Sequence, residues 1–275
     1  MNRRFVVAAA SLAALSFNSA VFAESAEELI AKNLSARGGP EKLAAIHTLV
    51  FKGELRFPGD FKLAFTELRQ RMSAGTCAVR IEATIQGLTL VQAYDGKGGW
   101  RINPFEGRKD ADKMGADDAR ALADEASIDG ALLSAQAMGS KVDYLGREDV
   151  DGTDSYELRV SQPDGDVFTY YLDPDTFLEI KILERRTIRG SEQETEYELG
   201  DYERVGGIYF PFSIASGPKN SRDKQVITID SGEAGVVVSQ GTFDLPVTAG
   251  GAEKPSAAPP QKPSHKSLSS HAKGQ

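Results

Sequence analysis

The chain has 275 residues, a net charge of −8 and a single cysteine. One cysteine excludes an internal disulfide, so a hydrophobic core must supply the stability. Residues 1–23 contribute +2 and residues 249–275 contribute +3, which leaves −13 on residues 24–248. A domain this acidic is a poor nucleic-acid binder, because it cannot release counterions from phosphates.

The first 23 residues have the pattern of a secretory signal. Arg3 and Arg4 precede an apolar run from Phe5 to about Phe17, and small residues at Val21 and Ala23 mark a cleavage site. The run is short for a membrane span, although an uncleaved anchor is the alternative. We therefore predict a signal peptide over residues 1–23 and a mature protein in the bacterial periplasm.

Two helices are predicted at the start of the mature chain. Ser25 and Glu28 form a capping-box pattern, and the glycines at 38 and 39 end that helix. Pro40 is well suited to begin a second, short helix, because the first turn of a helix does not use its missing N–H.

From Thr48 onward the period changes from about four residues to two. In the first such segment one face holds the apolar side chains of Leu49, Phe51, Leu55 and Phe57. About eleven strands follow one another with short connections, and neighbours joined in this way pair antiparallel. A helical interruption between about residues 116 and 138 is divided by Gly130.

These elements predict an α+β fold that is mainly antiparallel β. Each strand alternates between an apolar and a charged face, so the sheet has one dry side and one wet side. A sheet of this length must curl. We expect an incomplete, curled β-barrel whose dry trough is covered by the short helices.

The segment AYDGKGGWRINPF, residues 93–105, contains the only Trp of the chain. Asp95 and the glycines after it lie between two predicted strands, which indicates a hairpin turn. A phosphate-binding loop is the alternative, but the glycine spacing does not fit one and no helix follows. Trp100 is then expected to point into the dry face or to lie across its rim.

Few residues are available for catalysis or metal binding. Of three histidines only His47 lies outside the C-terminal segment, and the core has a single cysteine, so neither a nucleophilic triad nor a zinc site is expected. The acidic stretch from Asp149 to Asp154 is better explained as a hairpin turn than as a calcium loop. We predict no enzyme activity, no metal and no cofactor; an enzyme would need a carboxylate cluster inside the barrel.

Three motifs carry a resemblance to a known family. They are D-G-x-x-x-W at residues 95–100, Y-Y-L-D-P-D-T at 170–176 and D-Y-x-x-V-G-G-I-Y-F-P at 201–211. Across residues 24–248 the chain resembles the bacterial periplasmic outer-membrane lipoprotein-sorting proteins, the LolA-like family. The resemblance implies a LolA/LolB-like incomplete barrel of eleven strands with helices across its mouth. It also implies that the partner is a lipid or a lipidated protein.

The predicted function is binding of an acyl chain or another lipidic ligand, with lipoprotein sorting as one form of it. The predicted lining residues are Leu49, Phe51, Leu55, Phe57, Ile81, Ile85, Leu90, Trp100, Tyr171 and Phe210. The alternative is an envelope protein-interaction or stress-sensing module of the same fold that carries no lipid. Residues 249–275 are rich in Pro, Ser and Lys, so we expect a disordered tail able to touch envelope membrane components transiently.

Overall fold

A computed structural model describes residues 24–72 and 75–246, so the predicted signal peptide and the whole of the predicted tail lie outside the described residues. The elements below belong to one compact unit that ends at Leu245. Its helices are α1 (Ala26–Arg37), α2 (Pro40–Ala45), α3 (Ala116–Ala126) and α4 (Gly130–Ser134). Its strands are β1 (Thr48–Phe57), β2 (Phe61–Arg71), β3 (Cys77–Ile85), β4 (Leu88–Tyr94), β5 (Gly99–Ile102), β6 (Asp112–Lys113), β7 (Lys141–Val150), β8 (Thr153–Ser161), β9 (Val167–Leu172), β10 (Glu179–Ile188), β11 (Ser191–Val205), β12 (Ile208–Pro218) and β13 (Gln225–Ala234).

The helix boundaries follow the local signals in the sequence. The Ser25 hydroxyl accepts a hydrogen bond from the backbone N–H of Glu28 at 3.1 Å, and Gly38 caps the C-terminus of α1 after Arg37. Pro40 is the first residue of α2, and Gly130 opens α4 after a break from α3. The predicted helix pair at the start and the divided helical interruption are confirmed.

The strands form one antiparallel sheet that does not close into a barrel. Its order is β6-β5-β4-β3-β2-β1-β13-β12-β11-β10-β9-β8-β7, so β1 and β13 pair in its middle while β6 and β7 form its two edges. The chain passes from one edge to the other through residues 114–140, which contain α3 and α4. The helical segment therefore crosses the concave face of the sheet as a single connection.

The core lies between the helices and the concave face. Leu122 and Ala126 of α3 pack against Phe65, Val79 and Ile81. A second group joins α1 and α4 to β8 and β9, and a third joins α2 to β1 and β12. α3 contacts β3, β4 and β5 on one side of the trough and β10 on the other. It therefore bridges the two walls of the curled sheet.

The sheet has thirteen strands, against about eleven expected. The two-residue strand β6 had no counterpart among the predicted segments, because two residues are too short to show a period. The segment at Asp95 is a turn, as favoured from the sequence: the Asp95 carboxylate accepts hydrogen bonds from the N–H groups of Lys97 and Gly98, both at 2.8 Å. Gly96 takes the positive φ, 90°, that such a turn requires.

Candidate functional site

A cavity of about 810 Å³ separates the α3–α4 connection from the sheet. Its roof consists of residues between Ala121 and Ala131, and its floor comes from the concave faces of β9 to β13, with β1 and β2 at one side. A second hollow of about 170 Å³ shares part of this wall, including Tyr170, Ile182 and Leu199. The volume of the larger cavity, about 810 Å³, lies in the range typical of small-ligand sites.

One part of the wall of the large cavity is apolar. The side chains that form it are Phe57, Ala121, Ala131, Phe168, Tyr170, Ile182, Leu199, Ile214 and Ile227. They come from both helices and from strands on either side of the trough, so a chain-like ligand would touch apolar groups along its length. Such a wall favours burial of methylene groups.

The opposite part of the wall is charged, whereas we expected from the sequence that the side of the sheet facing the trough would be apolar. On β2 the residues that share the concave face with Phe65 are Glu67 and Arg69, because side chains two apart point to the same side of a strand. Glu67 is 4 % exposed and forms an ion pair with Arg69, whose Nη1 also donates to the carbonyl oxygen of Ser127 at 3.0 Å.

The strand β10 contributes Glu184 and Arg186 to the same wall. Arg186 is 4 % exposed, pairs with Glu184 and donates from Nη2 to Asp124 of α3 at 2.8 Å. Asp166 lies 3.2 Å from Nε of Arg186 and 3.2 Å from Nε of Arg120. These ion pairs tie α3 to the sheet beneath it.

Glu125, at the end of α3, differs from the other carboxylates of the wall. It lines the cavity and its side chain is exposed to solvent, yet it forms no ion pair and no side-chain hydrogen bond with any residue in 24–72 or 75–246. Partial desolvation by the cavity wall and the nearby Glu67 carboxylate both raise the pKa of Glu125 above its ordinary value.

The smaller hollow also has a polar side. Tyr202 donates its hydroxyl hydrogen bond to the carbonyl oxygen of Glu179 at 2.7 Å, and Arg37 donates to the carbonyl oxygen of Asp129 at 3.0 Å. Burial raises the pKa of Tyr202 well above its ordinary value. These groups hold α1, the α3–α4 connection and the sheet together at the inner end of the site.

The predicted lining residues are spread over several places. Phe51 and Phe210 line the small hollow, and Phe57 lies at the large one. Leu49 and Ile81 are buried in the core beside the hollows, and Leu55 packs against the group that contains α3. Ile85 and Leu90 are half-buried and line neither hollow.

Trp100 and Tyr171 lie on the other face of the sheet. Trp100 pairs with Ala93 and Lys113, is 2 % exposed and donates from Nε1 to the carbonyl oxygen of Phe243 at 2.8 Å. The segment after β13 passes over the convex face there, and this is why Trp100 is buried without entering the trough. Tyr171 points outward toward Glu157, whereas its neighbour Tyr170 lines the cavity.

Sequence reasoning missed the charged residues of the site. Glu67, Arg69, Glu184 and Arg186 all occupy alternate positions of strands that also carry charge on their other face, so alternation alone does not reveal which charged face is inward. A usable signal was present in β2, where Leu63, Phe65, Glu67 and Arg69 have the same parity. A continuous face that begins apolar and ends charged predicts an amphipathic wall.

In 24–72 and 75–246 no group of three or more His, Cys, Asp or Glu side chains is arranged to hold a metal ion. None of the helices in those ranges combines the length and the apolar character needed to cross a membrane.

Comparisons with known proteins identify the fold. The chain is similar to a DUF1329 family protein from Desulfovibrio piger at a TM-score of 0.57 and 11 % identity, covering 80 % of this chain and 97 % of that one. A domain named as an outer membrane lipoprotein-sorting protein, from Vibrio parahaemolyticus, gives 0.55 at 11 % identity, covering 80 % and 97 %. A LolA superfamily protein from Nitrosomonas europaea gives 0.53 at 12 % identity, covering 80 % and 98 %.

The sequence matches no protein-family model and no curated protein. At 11–12 % identity the structural likeness establishes architecture, and that architecture agrees with the resemblance noted in the motifs. The chain has the LolA-like fold: an open, curled antiparallel sheet with short helices across its concave face.

Proposed function

We propose that this chain binds an acyl chain or a similar lipidic ligand in the cavity of about 810 Å³ beneath α3 and α4. The observation that carries the proposal is the cavity itself, since the core side chains leave it unfilled and one of its walls is apolar. Each methylene moved from water to such a wall contributes about 0.8 kcal/mol, so about ten methylenes offset the costs of ordering the ligand.

The periplasm is the proposed location, on the basis of the signal pattern in residues 1–23. The structural neighbours support the same setting, because one of them is named as a lipoprotein-sorting domain. Sorting of lipoproteins is the more specific form of the proposal, and residues 249–275 are proposed as a tail that contacts envelope components. Binding of an acyl chain is the step that all of these forms share.

The inward-facing carboxylates are the feature that an enzyme with this fold would need. Glu67 and Glu184 are each held in an ion pair by an arginine, so neither is placed as a free acid or base. Glu125 forms no side-chain hydrogen bond with another described residue, so it activates no nucleophile there. This arrangement favours binding over catalysis.

The test is lipid recovery and probe uptake by protein purified without detergent. We expect organic extraction and mass spectrometry to recover a lipid, and the fluorescence of N-phenyl-1-naphthylamine to rise on uptake into the emptied cavity. Leu199 lines both hollows, so Leu199→Trp should plug the junction and abolish uptake. Ile214→Trp provides a second plug at the same place.

The matched control is Leu145→Trp, at an exposed position on the edge strand β7 that lines neither hollow. It should bind the probe as the wild type does. Recovery of no lipid together with no probe uptake by the wild type would reject the proposal and favour the protein-interaction alternative.

A further inference from the structure

Large apolar side chains are exposed on three successive connections at one end of the sheet. These connections are the turns at 57–61 and 85–88 and the loop at 103–111, which we call the apolar tips. Their exposed apolar side chains are those of Phe57, Phe61, Leu88 and Phe105. The strand register brings the tips to the same end, because Ala64 of β2 pairs with Thr84 of β3 and Val91 of β4 pairs with Ile102 of β5.

The connections at the opposite end of the sheet have a different composition. Those at 95–98, 151–152 and 206–207 contain only Asp, Gly and Lys. Turns of this polar kind are ordinary, because they face water. A group of exposed apolar side chains at one end alone instead marks a surface that meets something less polar than water.

The large cavity opens at the end that carries the apolar tips. Phe57 and Pro58 on one side and Pro218 and Asp223 on the other line the cavity and are exposed. The rings of Phe57 and Phe61 lie with their centroids 6.3 Å apart, so an aromatic pair borders this mouth. A ligand that enters or leaves the cavity here passes beside the tips.

We propose that the apolar tips dock this protein on the surface of a lipid bilayer, so that the mouth of the large cavity faces the acyl chains. This inference rests on the proposed lipid-binding function and adds the partner from which the ligand is taken or to which it is delivered. Phe and Leu side chains are suited to the role, because they enter the boundary between head groups and acyl chains favourably.

The spacing of the tips fits a bilayer better than a protein partner. Neighbouring strands lie about 4.8 Å apart, so the first two tips are separated by about 10 Å. The exposed polar side chains of Lys62 and Gln86 belong to the same region, and the tips therefore form no continuous apolar groove. A fluid bilayer accepts separate protrusions, whereas a protein partner would need a matching pocket for each one.

The distribution of charge favours an anionic bilayer. Arg56, Lys62 and Arg108, beside the tips, are each paired with a carboxylate, so the tips themselves carry little free charge. The compact unit ends at Leu245, which packs on the same apolar group as Ile102 at the end of β5. Residues 247–275 continue the chain from there, and their four lysines and one glutamate give +3. Apolar insertion together with basic residues supplies the two signals that stable membrane association needs.

Flotation of the full chain with lipid vesicles tests the docking surface. The wild type should float with vesicles of equal parts phosphatidylcholine and phosphatidylglycerol, and at least about threefold less with phosphatidylcholine alone, because basic residues are attracted to anionic lipid. Added salt should weaken the binding to the anionic vesicles. Replacing the four lysines of residues 247–275 with glutamine should weaken it as well.

The triple variant Phe61→Ser, Leu88→Ser and Phe105→Ser removes exposed apolar side chains that line neither hollow. It should bind the anionic vesicles at least about tenfold more weakly than the wild type, because less apolar surface enters the bilayer. Its uptake of N-phenyl-1-naphthylamine, measured without vesicles, should be unchanged. The matched control combines Leu145→Ser and Val237→Ser, at exposed positions away from the tips, and should float as the wild type does.

A tryptophan at a tip reports docking without the loss of an apolar side chain. The emission of Phe61→Trp should shift to shorter wavelength when anionic vesicles are added, because the ring leaves water. Val237→Trp should show no shift, since the carbonyl oxygen of its neighbour Val236 accepts a hydrogen bond from Thr48, at the opposite end of β1 from Phe57.

Equal flotation of the triple variant and the wild type, or an unshifted Phe61→Trp emission, would overturn the docking surface while leaving the lipid-binding function intact. A wild type that floats with neither vesicle, and whose Phe61→Trp emission changes with protein concentration instead, would overturn it in favour of a second copy of the chain. Vesicle binding through the tips without any uptake of the probe would support the docking surface and reject lipid binding in the cavity.

Discussion

The protonation state of Glu125 affects the stability of the folded protein: the neutral carboxyl group is tolerated, whereas the ionised one is destabilising. Its carboxylate lies at the end of α3 among Glu67 and Glu184, with the nearest guanidinium groups already paired. Desolvation and the neighbouring negative charges both oppose ionisation, and its pKa is raised to about 7 as a result. The ionised carboxylate therefore lowers the stability of the folded protein at high pH.

Replacing Glu125 with Gln should relieve that cost. The pKa is higher in the folded than in the unfolded chain, so the folded state binds the proton more tightly between about pH 4.5 and pH 7, and stability falls as pH rises through that window. Glu125→Gln should be more stable than the wild type at pH 8, by roughly 1 kcal/mol after solvent screening, and equal to it at pH 4. Denaturant unfolding at the two pH values measures this; an equal difference at both would contradict the assignment.

Trp100 was expected from the sequence at the dry face or its rim, and its actual position on the convex face has a spectroscopic consequence. Its ring is buried under the segment that follows β13, with Arg80 5.5 Å from the ring centroid. The sheet separates it from the trough. Since it is the only Trp, the fluorescence of the chain reports on that face alone.

A brominated fatty acid bound in the trough should leave Trp100 fluorescence almost unquenched, because quenching by bromine requires near contact. Phe57→Trp, at a partly exposed position that lines the large cavity, serves as the positive control, since bromine bound in that cavity should quench it. Strong quenching of Trp100 in the wild type would place the ligand on the convex face and contradict the proposed site.

The α3–α4 connection is the element on which the site depends, since it forms the roof of the cavity and joins the two edges of the sheet. The helix α3 packs so closely against β5 that residue 99 must be a glycine. A Cβ at Gly99 would lie 2.9 Å from Sδ of Met114 and 3.3 Å from Cα of Ala119. The close approach of α3 to the sheet is thus built into the sequence at one position.

Gly99→Val should push α3 away from β5 and destabilise the fold by about 1–3 kcal/mol, as overpacking does elsewhere. Gly98→Val is the matched neighbour, because a Cβ there meets no atom within 4 Å. Unfolding in urea should show a loss of stability at 99 that is much larger than at 98. Equal losses would show that α3 does not rest on Gly99.

Regular elements could be predicted because their signals are local. Ser25 with Glu28 fixed the start of α1, and alternation fixed the strands. The site could not be predicted as well. Alternation says which residues of β2 share a face, but the inward position of Glu67 and Arg69 depends on how distant strands curl around α3. Tyr171 points outward, and Trp100 is buried by a segment more than a hundred residues away. Neither position could be predicted, because both depend on contacts between distant parts of the chain.

At the scale of the whole unit, the sheet order explains why a hollow exists. The first and last strands, β1 and β13, pair in the middle of the sheet, and the edges β6 and β7 are joined by one thin helical connection. Short helices cover a curled sheet incompletely, and the space beneath them is left unfilled by the side chains of the core. The fold class was predictable from strand count and turn spacing, whereas the charged lining was not.

The most direct measurement is the position of a bound chain. A crystal of the protein soaked with a bromine-labelled decanoyl ligand, measured at the bromine absorption edge, locates the label by anomalous scattering. We expect a bromine peak in the cavity between α3 and β9 to β13, near Ile182, Leu199 and Ile214. A peak elsewhere on the surface, with the cavity free of label, would contradict it.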